Sequence, residues 1–215
     1  MHPANARVVF CPYCGGTKEL LSLMSGNTFG AKFWSDHKMR APMLPLVSPV
    51  QKCPHCGKYY LAYKQKWHKG DHPSFEQGKL SYPEWKEAYC QLLEERENKD
   101  RCKKVDEKDL SVIRIELVQA YNDYYYRDCV AEVSPDEYSF IEKVIKDFID
   151  SSKRPQRMNP LLIPELYREI NMMKECEQAL SLINYDTLED EEKIHYDGIK
   201  ARMMVGDSKV FELRF

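Results

Sequence analysis

The sequence predicts an α+β multidomain protein, with a small cysteine-bearing β domain over residues 1–80 and an all-α domain of helical hairpins over residues 81–215. Three observations predict this fold class. The stretch CPYCGG at 11–16 is nearly repeated as CPHCGK at 53–58. Short runs rich in β-branched and aromatic residues flank these stretches, as is typical of strands. From residue 81 onward, apolar residues recur at helical spacing behind capping boxes.

The two Cys-Pro-x-Cys-Gly stretches predict one metal site. In each, the proline presets φ inside a tight turn, and the glycine supplies the positive φ with which the chain leaves it. Such a turn, here called a knuckle, points two sulfurs at one ion. Two knuckles complete a tetrahedral four-thiolate shell, closed to water, as in structural zinc sites. The β domain is therefore predicted to be a zinc ribbon, with the ligands Cys11, Cys14, Cys53 and Cys56.

Iron is the alternative ion, because rubredoxins also use two Cys-x-x-Cys-Gly knuckles. Zinc is favoured here, because a long, basic, proline-bearing segment separates the knuckles. We do not expect His37, His68 or His72 to be ligands, since four cysteines already fill the shell. His55 lies between two ligand cysteines and is expected to face solvent.

The flanking segments predict the strands of the β domain. RVVF precedes the first knuckle and YYLAYK follows the second, and both have strand composition. Between the knuckles, TFGAKFWSD is predicted as a strand bounded by turns and MRAPMLPLVSP as an extended loop. We expect a ribbon of three or four strands.

The charge is distributed unevenly along the chain. Residues 1–80 hold 11 Lys and Arg against 4 Asp and Glu, whereas residues 81–215 hold 21 against 30. In the basic part, aromatic residues are interleaved with cations, which suits stacking on single-stranded nucleic acid. The alternative is that these aromatics form the core of a small domain while the lysines are solvated. The aromatics are Phe29, Phe33, Trp34, Tyr59, Tyr60, Tyr63 and Trp67.

Helix signals begin at residue 81. Capping boxes at Ser81–Glu84 and Ser134–Glu137 predict helix starts, the second with proline at the first helical position. Between them, apolar residues at helical spacing predict another helix, led by Ile113, Leu117 and Tyr121. A charged connection over 97–109 and a break over 151–160 divide the helices, and Asn159 is expected to cap the next one.

The segment LIPELYREINMMKECEQALSLI resembles one tetratricopeptide repeat, with a helix, a turn at Asn171 and a second helix through Cys176. It departs from that pattern, because Asn171 stands where the turn glycine is usual and Cys176 where a small alanine is usual. DEEKIHYDGIKARMMVGDSKVFEL predicts a last helix that stops at Gly206. We therefore expect hairpins stacked in a tetratricopeptide-like way.

Taken together, the two knuckles, the intervening TFGAKFWSDHKMRAPMLP and the helical hairpins resemble uncharacterised bacterial proteins that join a four-cysteine zinc ribbon to a tetratricopeptide-like helical domain. The resemblance covers most of the chain, and its specific part is the four cysteines. It implies a zinc-binding fold and no known reaction.

The composition favours a cytoplasmic protein. No run of about 18 apolar residues is present, and MHPANARVVF lacks the features of a secretory signal. In a reducing compartment the cysteine pattern indicates metal ligation more than disulfides. The four scattered cysteines are expected to be small, partly buried apolar side chains, and they are Cys90, Cys102, Cys129 and Cys176.

An enzyme is not expected. A four-thiolate shell has no open position for water, and no Gly-rich phosphate loop, nucleophile elbow or His-Glu-x-x-His helix occurs. Glu165 and Glu169 are expected on a solvated helix face. The leading hypothesis is a zinc-binding interaction or scaffold protein whose helices bind a protein partner or a second copy of the chain. Nucleic-acid binding through the basic ribbon is the alternative, and rubredoxin-like electron transfer at iron is a third hypothesis.

Overall fold

The computed structural model describes residues 2–98, 105–151 and 159–214, and in these ranges short strands are followed by helices. The strands are β1 (His2–Pro3), β2 (Asn5–Phe10), β3 (Thr17–Leu20), β4 (Leu23–Ser25), β5 (Lys32–Trp34), β6 (Met39–Arg40), β7 (Val50–Lys52), β8 (Tyr59–Leu61), β9 (Trp67–Pro73) and β10 (Glu212–Leu213). The helices are α1 (Tyr82–Glu97), α2 (Glu107–Asn122), α3 (Pro135–Ser151), α4 (Leu162–Glu169), α5 (Met173–Ser181) and α6 (Asp190–Met204). The α+β class is confirmed. Much of the predicted connection over 97–109, most of the predicted break over 151–160, and Cys102 lie outside the described residues.

The chain divides into two compact units. Unit 1 comprises Met1–Ala31 and Ala41–Ala120, and unit 2 comprises Lys32–Arg40 and Tyr121–Phe215. Helix α1 and all but the last two residues of α2 therefore belong with the cysteine-bearing strands. The sequence predicts that residues 1–80 and residues 81–215 form separate folding domains, and this division stays a prediction.

The strands of unit 1 form three small antiparallel sheets instead of the single ribbon that we expected. These sheets are β1-β4, β3-β2-β9 and β7-β8. The predicted strand RVVF forms the end of β2, which pairs on one side with β3 and on the other with β9. β7 and β8, on either side of the second knuckle, pair only with each other among the described residues. The two knuckles consequently belong to different sheets.

Helix α1 packs against β8 within unit 1. Its start confirms the predicted capping box, since Ser81 N donates to Glu84 Oε2 at 2.9 Å. The buried face of the helix includes Trp85, Tyr89 and Leu92. Facing β8, the Gln91 side-chain amide bonds the backbone of Tyr59 twice: its Oε1 accepts from the Tyr59 N–H at 3.0 Å, and its Nε2 donates to the Tyr59 carbonyl at 2.9 Å. These bonds satisfy backbone groups on the strand that follows the second knuckle.

Unit 2 combines a three-stranded sheet with helices. The sheet has the order β10-β5-β6, and β5 confirms the strand predicted within TFGAKFWSD. Helix α3 begins at Pro135, as predicted, and Ser134 Oγ accepts a hydrogen bond from Glu137 N at 3.3 Å. A π-helical turn, Asp123–Arg127, continues α2. Such turns are rare and occur frequently at functional sites.

Helices α4 and α5 form the predicted hairpin. Asn171 lies in the turn between them with φ of 58°, the left-handed conformation that asparagine tolerates in place of glycine. Helix α6 packs on both, and it ends before Gly206, as predicted. The core of this part consists of Leu161, Cys176, Leu180, Ile199 and Phe211. One hairpin with a third helix does not establish a tetratricopeptide repeat array.

Candidate metal centre

The two knuckles have the same local backbone structure. The N–H of Gly15 donates to the carbonyl of Cys11, and that of Gly57 donates to the carbonyl of Cys53, both at 3.0 Å. Each first cysteine also donates its N–H to the carbonyl five residues later, at 2.8 and 2.9 Å. Both glycines have φ of 73°, as the sequence predicts, a value that costs a glycine little and other residues more.

The four cysteine sulfurs converge on one point. The Sγ atoms of Cys11, Cys14, Cys53 and Cys56 all lie within 4.8 Å of one another. Across the two knuckles, the Cys11 and Cys56 sulfurs are 3.7 Å apart and the Cys14 and Cys53 sulfurs are 3.6 Å apart. A tetrahedron with zinc–sulfur bonds of about 2.3 Å has sulfur–sulfur edges of about 3.8 Å. Disulfide sulfurs would be about 2.05 Å apart. The four residues therefore fit one four-thiolate metal ion, zinc or iron.

One side of the sulfur cluster is buried and the other is open. Cys11 and Cys53 are buried, whereas Cys14 and Cys56 are exposed. The buried pair packs in an apolar cluster with Val9, Leu20, Tyr60 and Ala62. Because these residues come from strands on both sheets, a bound ion would tie the two sheets together beside their shared core.

The environment treats the two buried thiols differently. Burial raises the pKa of Cys11 to about 12. Burial also opposes ionisation of Cys53, yet hydrogen bonds from the N–H groups of Cys56 and His55 and from neighbouring thiols lower its pKa to about 6. The N–H groups directed at the Cys53 sulfur therefore favour its thiolate form. Metal binding requires all four ligands as thiolates and therefore releases the remaining protons.

The histidines do not join the sulfur cluster. In the part of the chain that the structure describes, the group that can hold a metal contains only the four cysteines. The side chain of His55 is exposed, as expected, and its Nε2 lies 3.3 Å from the Thr17 carbonyl oxygen.

Within unit 1, acidic residues in α1, in α2 and immediately before α2 pair with lysines of the basic segment. Lys64 forms ion pairs with Asp106 and Asp109. Lys52 lies 3.9 Å from Glu84 and 3.8 Å from Glu87. The charge totals of residues 1–80 and 81–215 could not predict these ion pairs, because each pair joins a lysine of the first range to a carboxylate of the second.

The aromatic residues of the basic segment differ in burial, and Phe33 and Trp34 are intermediate. Tyr59 and Tyr60 are buried in the core, as the structural interpretation expected. Phe29, Tyr63 and Trp67 are exposed. Trp67 is 55% exposed, and the guanidinium carbon of Arg7 lies 5.1 Å from its ring centroid.

A cluster of buried polar side chains in unit 2 was missed by sequence reasoning. Asn122 Nδ2 donates to Asp36 Oδ2 at 3.0 Å and to Glu169 Oε2 at 2.9 Å. Arg127, on the π-helical turn, forms an ion pair with Asp36, and its guanidinium carbon lies 4.8 Å from the Trp34 ring centroid. We call these five residues, Trp34, Asp36, Asn122, Arg127 and Glu169, the polar cluster.

The expectation that Glu165 and Glu169 face solvent is wrong. Glu165 is 0% exposed and Glu169 is 8% exposed. Glu165 accepts two bonds from Arg168, which is itself fully buried. This bidentate pair compensates the cost of burying both charges. The opposite charges three residues apart on α4 were the available signal for that pair. The partners of Glu169 come from distant segments and left no local signal.

Burial and neighbouring carboxylates raise the pKa of Glu169 well above its usual value. Within the cluster, the buried atoms Trp34 Nε1, Asn122 Oδ1 and Glu169 Oε1 have no hydrogen-bond partner among the described residues. The same holds for His37 Nε2 and His195 Nε2 beside it. The His195 ring lies 5.0 Å from that of His37, and burial lowers the pKa of both.

The scattered cysteines differ from one another. Cys176 is an apolar core residue of unit 2, as expected, although it is fully and not partly buried. Cys90 and Cys129 are exposed, so for these two the expectation of partial burial is wrong.

Comparison with known proteins identifies no relative. No protein-family profile matches the chain, and neither a curated protein nor a solved structure shows significant similarity to it. None of the described helices has the length and apolar character needed to cross a membrane.

Proposed function

We propose that Cys11, Cys14, Cys53 and Cys56 bind one structural zinc ion and that the protein acts as a non-catalytic interaction or scaffold protein. The observation that carries the first part is the convergence of four sulfurs within 4.8 Å of one another. Four thiolates fill a tetrahedral shell, so the ion would supply folding free energy and no open position for a substrate.

The sulfur positions suit either metal, and zinc is proposed over iron because a long, basic, proline-bearing segment separates the two knuckles. The sheets of unit 1 are short, and metal binding compensates for small cores in proteins of this kind. Elemental analysis of protein purified without added metal tests the choice. We expect one zinc per chain and a colourless protein. A coloured protein with a reversible redox change would establish the iron alternative.

The proposed protein-binding role rests on unit 2, where helix α6 packs on the α4–α5 hairpin and contacts β10, an edge strand of its sheet among the described residues. Surfaces of this kind bind extended or helical segments of other proteins. The test is cross-linking mass spectrometry on nuclease-treated protein isolated with its partners. We expect cross-links from unit 2 lysines to a second polypeptide. Recovery of nucleic acid alone, with no protein, would contradict the proposal.

Nucleic-acid binding by unit 1 is a second candidate, favoured by one observation. Trp67 is exposed on β9, with Arg7 against its ring and Lys69 paired with Arg7 across the sheet. Cations beside an exposed aromatic suit a stacked base. This candidate predicts binding of single-stranded oligonucleotide that weakens steeply with salt and weakens further in Trp67→Ala. Affinity that is indifferent to salt would exclude it. The pairing of Lys52 and Lys64 with helix carboxylates leaves this surface fewer cations than the sequence suggested.

A further inference from the structure

A cleft in unit 2 lies between helix α6 and strand β10. Its volume is about 520 Å³, and it is lined by Ile194, Gly198, Arg202, Phe211, Glu212, Leu213 and Arg214. The three helix residues are spaced four apart, so they form one face of α6. The other wall consists of four consecutive residues. Because alternate residues of a strand point to opposite faces of a sheet, such a wall is the edge of the strand and not one face.

Strand β10 has a free edge along this cleft. It is the outer strand in the order β10-β5-β6 among the described residues. Ser35 N donates to the Phe211 carbonyl at 2.9 Å, so the backbone groups of Phe211 face β5. In an antiparallel pair the groups that face the partner alternate along the strand. The N–H and carbonyl of Glu212 therefore point away from β5, toward the open edge.

Two arginines make the cleft cationic within an otherwise acidic part of the chain. The guanidinium carbon of Arg202 lies 3.7 Å from the centroid of Phe211. Phe211 itself sits directly on Gly198, where a Cβ would approach its ring to 2.6 Å. Glycine inside a helix costs about 1 kcal/mol relative to alanine, and this close approach is the structural reason for it. The Arg202 guanidinium therefore lies against the Phe211 ring, and the Arg202 side chain is 35% exposed.

The charges around the cleft are only partly paired. Arg202 Nε forms an ion pair with Asp207 Oδ2 at 3.6 Å, which is too long for a good hydrogen bond, so an incoming carboxylate would compete with Asp207 for the guanidinium. Glu212, the one acidic residue in the lining, lies 3.2 Å from Lys32 and is neutralised by it. Arg214 is exposed. Ile194 and Leu213 supply apolar surface beside these cations.

We propose that this cleft binds a short extended segment of a partner protein, which adds a strand to β10 and places a carboxylate next to an aliphatic side chain. The backbone of Glu212 would pair with the added strand, since unpaired edge groups are the template for strand addition. Arg202 and Arg214 would bind the carboxylate, and Ile194 and Leu213 the aliphatic side chain. The inference deepens the proposed protein-binding role and depends on it.

The experiment is a selection of displayed random linear peptides on the zinc-loaded full chain, immobilised through its N-terminus. The strongest enriched peptide is then synthesised, and its affinity is measured by fluorescence anisotropy. We expect enriched peptides to carry Asp or Glu next to Ile, Leu or Val. Arg214→Glu, an exposed change that leaves folding intact, should weaken the peptide about tenfold or more, as should Arg202→Ala. Lys209→Glu makes the same charge change outside the cleft and should leave affinity unchanged.

Strand addition has its own matched pair of variants. Glu212→Pro removes the edge N–H without removing a bond to β5, as prolines at sheet edges do, and should abolish binding. Glu212→Ala keeps the N–H and should retain binding. If no peptide is enriched, or if enriched peptides bind all four cleft variants alike, the inference is overturned. In the second case the protein binds partners elsewhere, and the proposed function still stands.

Discussion

The Sγ atoms of Cys14 and Cys53 lie 3.6 Å apart although 38 residues separate the two cysteines in the chain. This separation matches an edge of a four-thiolate tetrahedron around zinc. One cysteine belongs to each knuckle, so the contact joins the β3-β2-β9 sheet to the β7-β8 pair. A metal ion at this point would hold unit 1 together through its ligands.

Removing a ligand should unfold the strands of unit 1. Cys53→Ser leaves three thiolates, and structural zinc contributes apparent folding free energy of about 10 to 16 kcal/mol in small zinc modules. We expect the variant to lose its metal and the amide protection of β2, β7 and β8, measured by hydrogen exchange. Cys90→Ser, an exposed cysteine on α1, is the control and should change neither. A metal-free Cys53→Ser protein with an unaltered melting curve would contradict this prediction.

Substitution at the second knuckle glycine tests backbone strain alone. Gly57 has φ of 73°, and a Cβ built there meets no atom within 4 Å. Gly57→Ala should therefore cost only the left-handed conformation, about 1 to 2 kcal/mol. We expect an equal loss in zinc affinity, roughly tenfold, by competition with a chromophoric chelator. Gly57→Asn should lose less, because asparagine tolerates this conformation. Equal losses in both variants would show that something other than φ matters there.

The stability of unit 2 should fall on acidification because of His195. Burial, then the nearby His37, lower the pKa of His195 to about 3, and Arg168 acts in the same direction while Asp36 and the Ser35 backbone oppose it. In the unfolded chain His195 takes up a proton near pH 6.5, whereas in the folded protein it does so only near pH 3. The free energy of unfolding is therefore unaffected by this group above pH 6.5 and decreases as the pH falls from 6.5 toward 3. From pH 7.5 to pH 5 the loss is about 2 kcal/mol for this group.

Urea unfolding of unit 2, followed at several pH values, measures this loss. His195→Gln lacks the titrating group, so its free energy of unfolding should vary less between pH 7.5 and pH 5 than that of the natural protein. Parallel curves for the two proteins would exclude His195 as the source of the acid sensitivity.

Glu169 should keep its proton to a higher pH in the folded protein than in the unfolded chain. Burial, and then the neighbouring carboxylates Glu165 and Asp36, raise its pKa well above the usual value. Stability from this group is present at low pH and decreases as pH rises. Glu169→Gln keeps the shape and the acceptor for Asn122, and it should be at least as stable as the natural protein at pH 8.

Glu165→Gln is the matched control for that prediction, since it makes the same chemical change one turn earlier on α4. It leaves the buried Arg168 without its ionic partner, and breaking such a pair costs about 3 to 5 kcal/mol. Equal destabilisation by the two variants would contradict a raised pKa for Glu169.

Features determined by nearby residues were predictable from the sequence. The Cys-Pro-x-Cys-Gly knuckles, the capping box at Ser81, the side-chain cap at Ser134 and the turn at Asn171 each depend on a few consecutive residues, and each occurs where predicted. The four convergent sulfurs also followed, because the ligand chemistry demands that both knuckles meet.

Features that join distant segments were not predictable. Strand β5 pairs with β10 near the other end of the chain, so Lys32–Arg40 belongs to unit 2 although it lies between the knuckles. The polar cluster depends on this placement, because Asp36 arrives with that segment. Glu169 looked solvated for the same reason, since Asn122 lies 47 residues away in the chain. A single sequence has no local pattern that indicates which distant segments pair.

The metal content of the purified protein tests the central claim most directly. Elemental analysis alongside thiol titration under native conditions should find one zinc per chain and the four knuckle sulfurs protected from reagent until a chelator is added. A folded protein that contains no metal, and in which Cys14 and Cys56 react with the thiol reagent as fast as the exposed Cys90, would contradict the account.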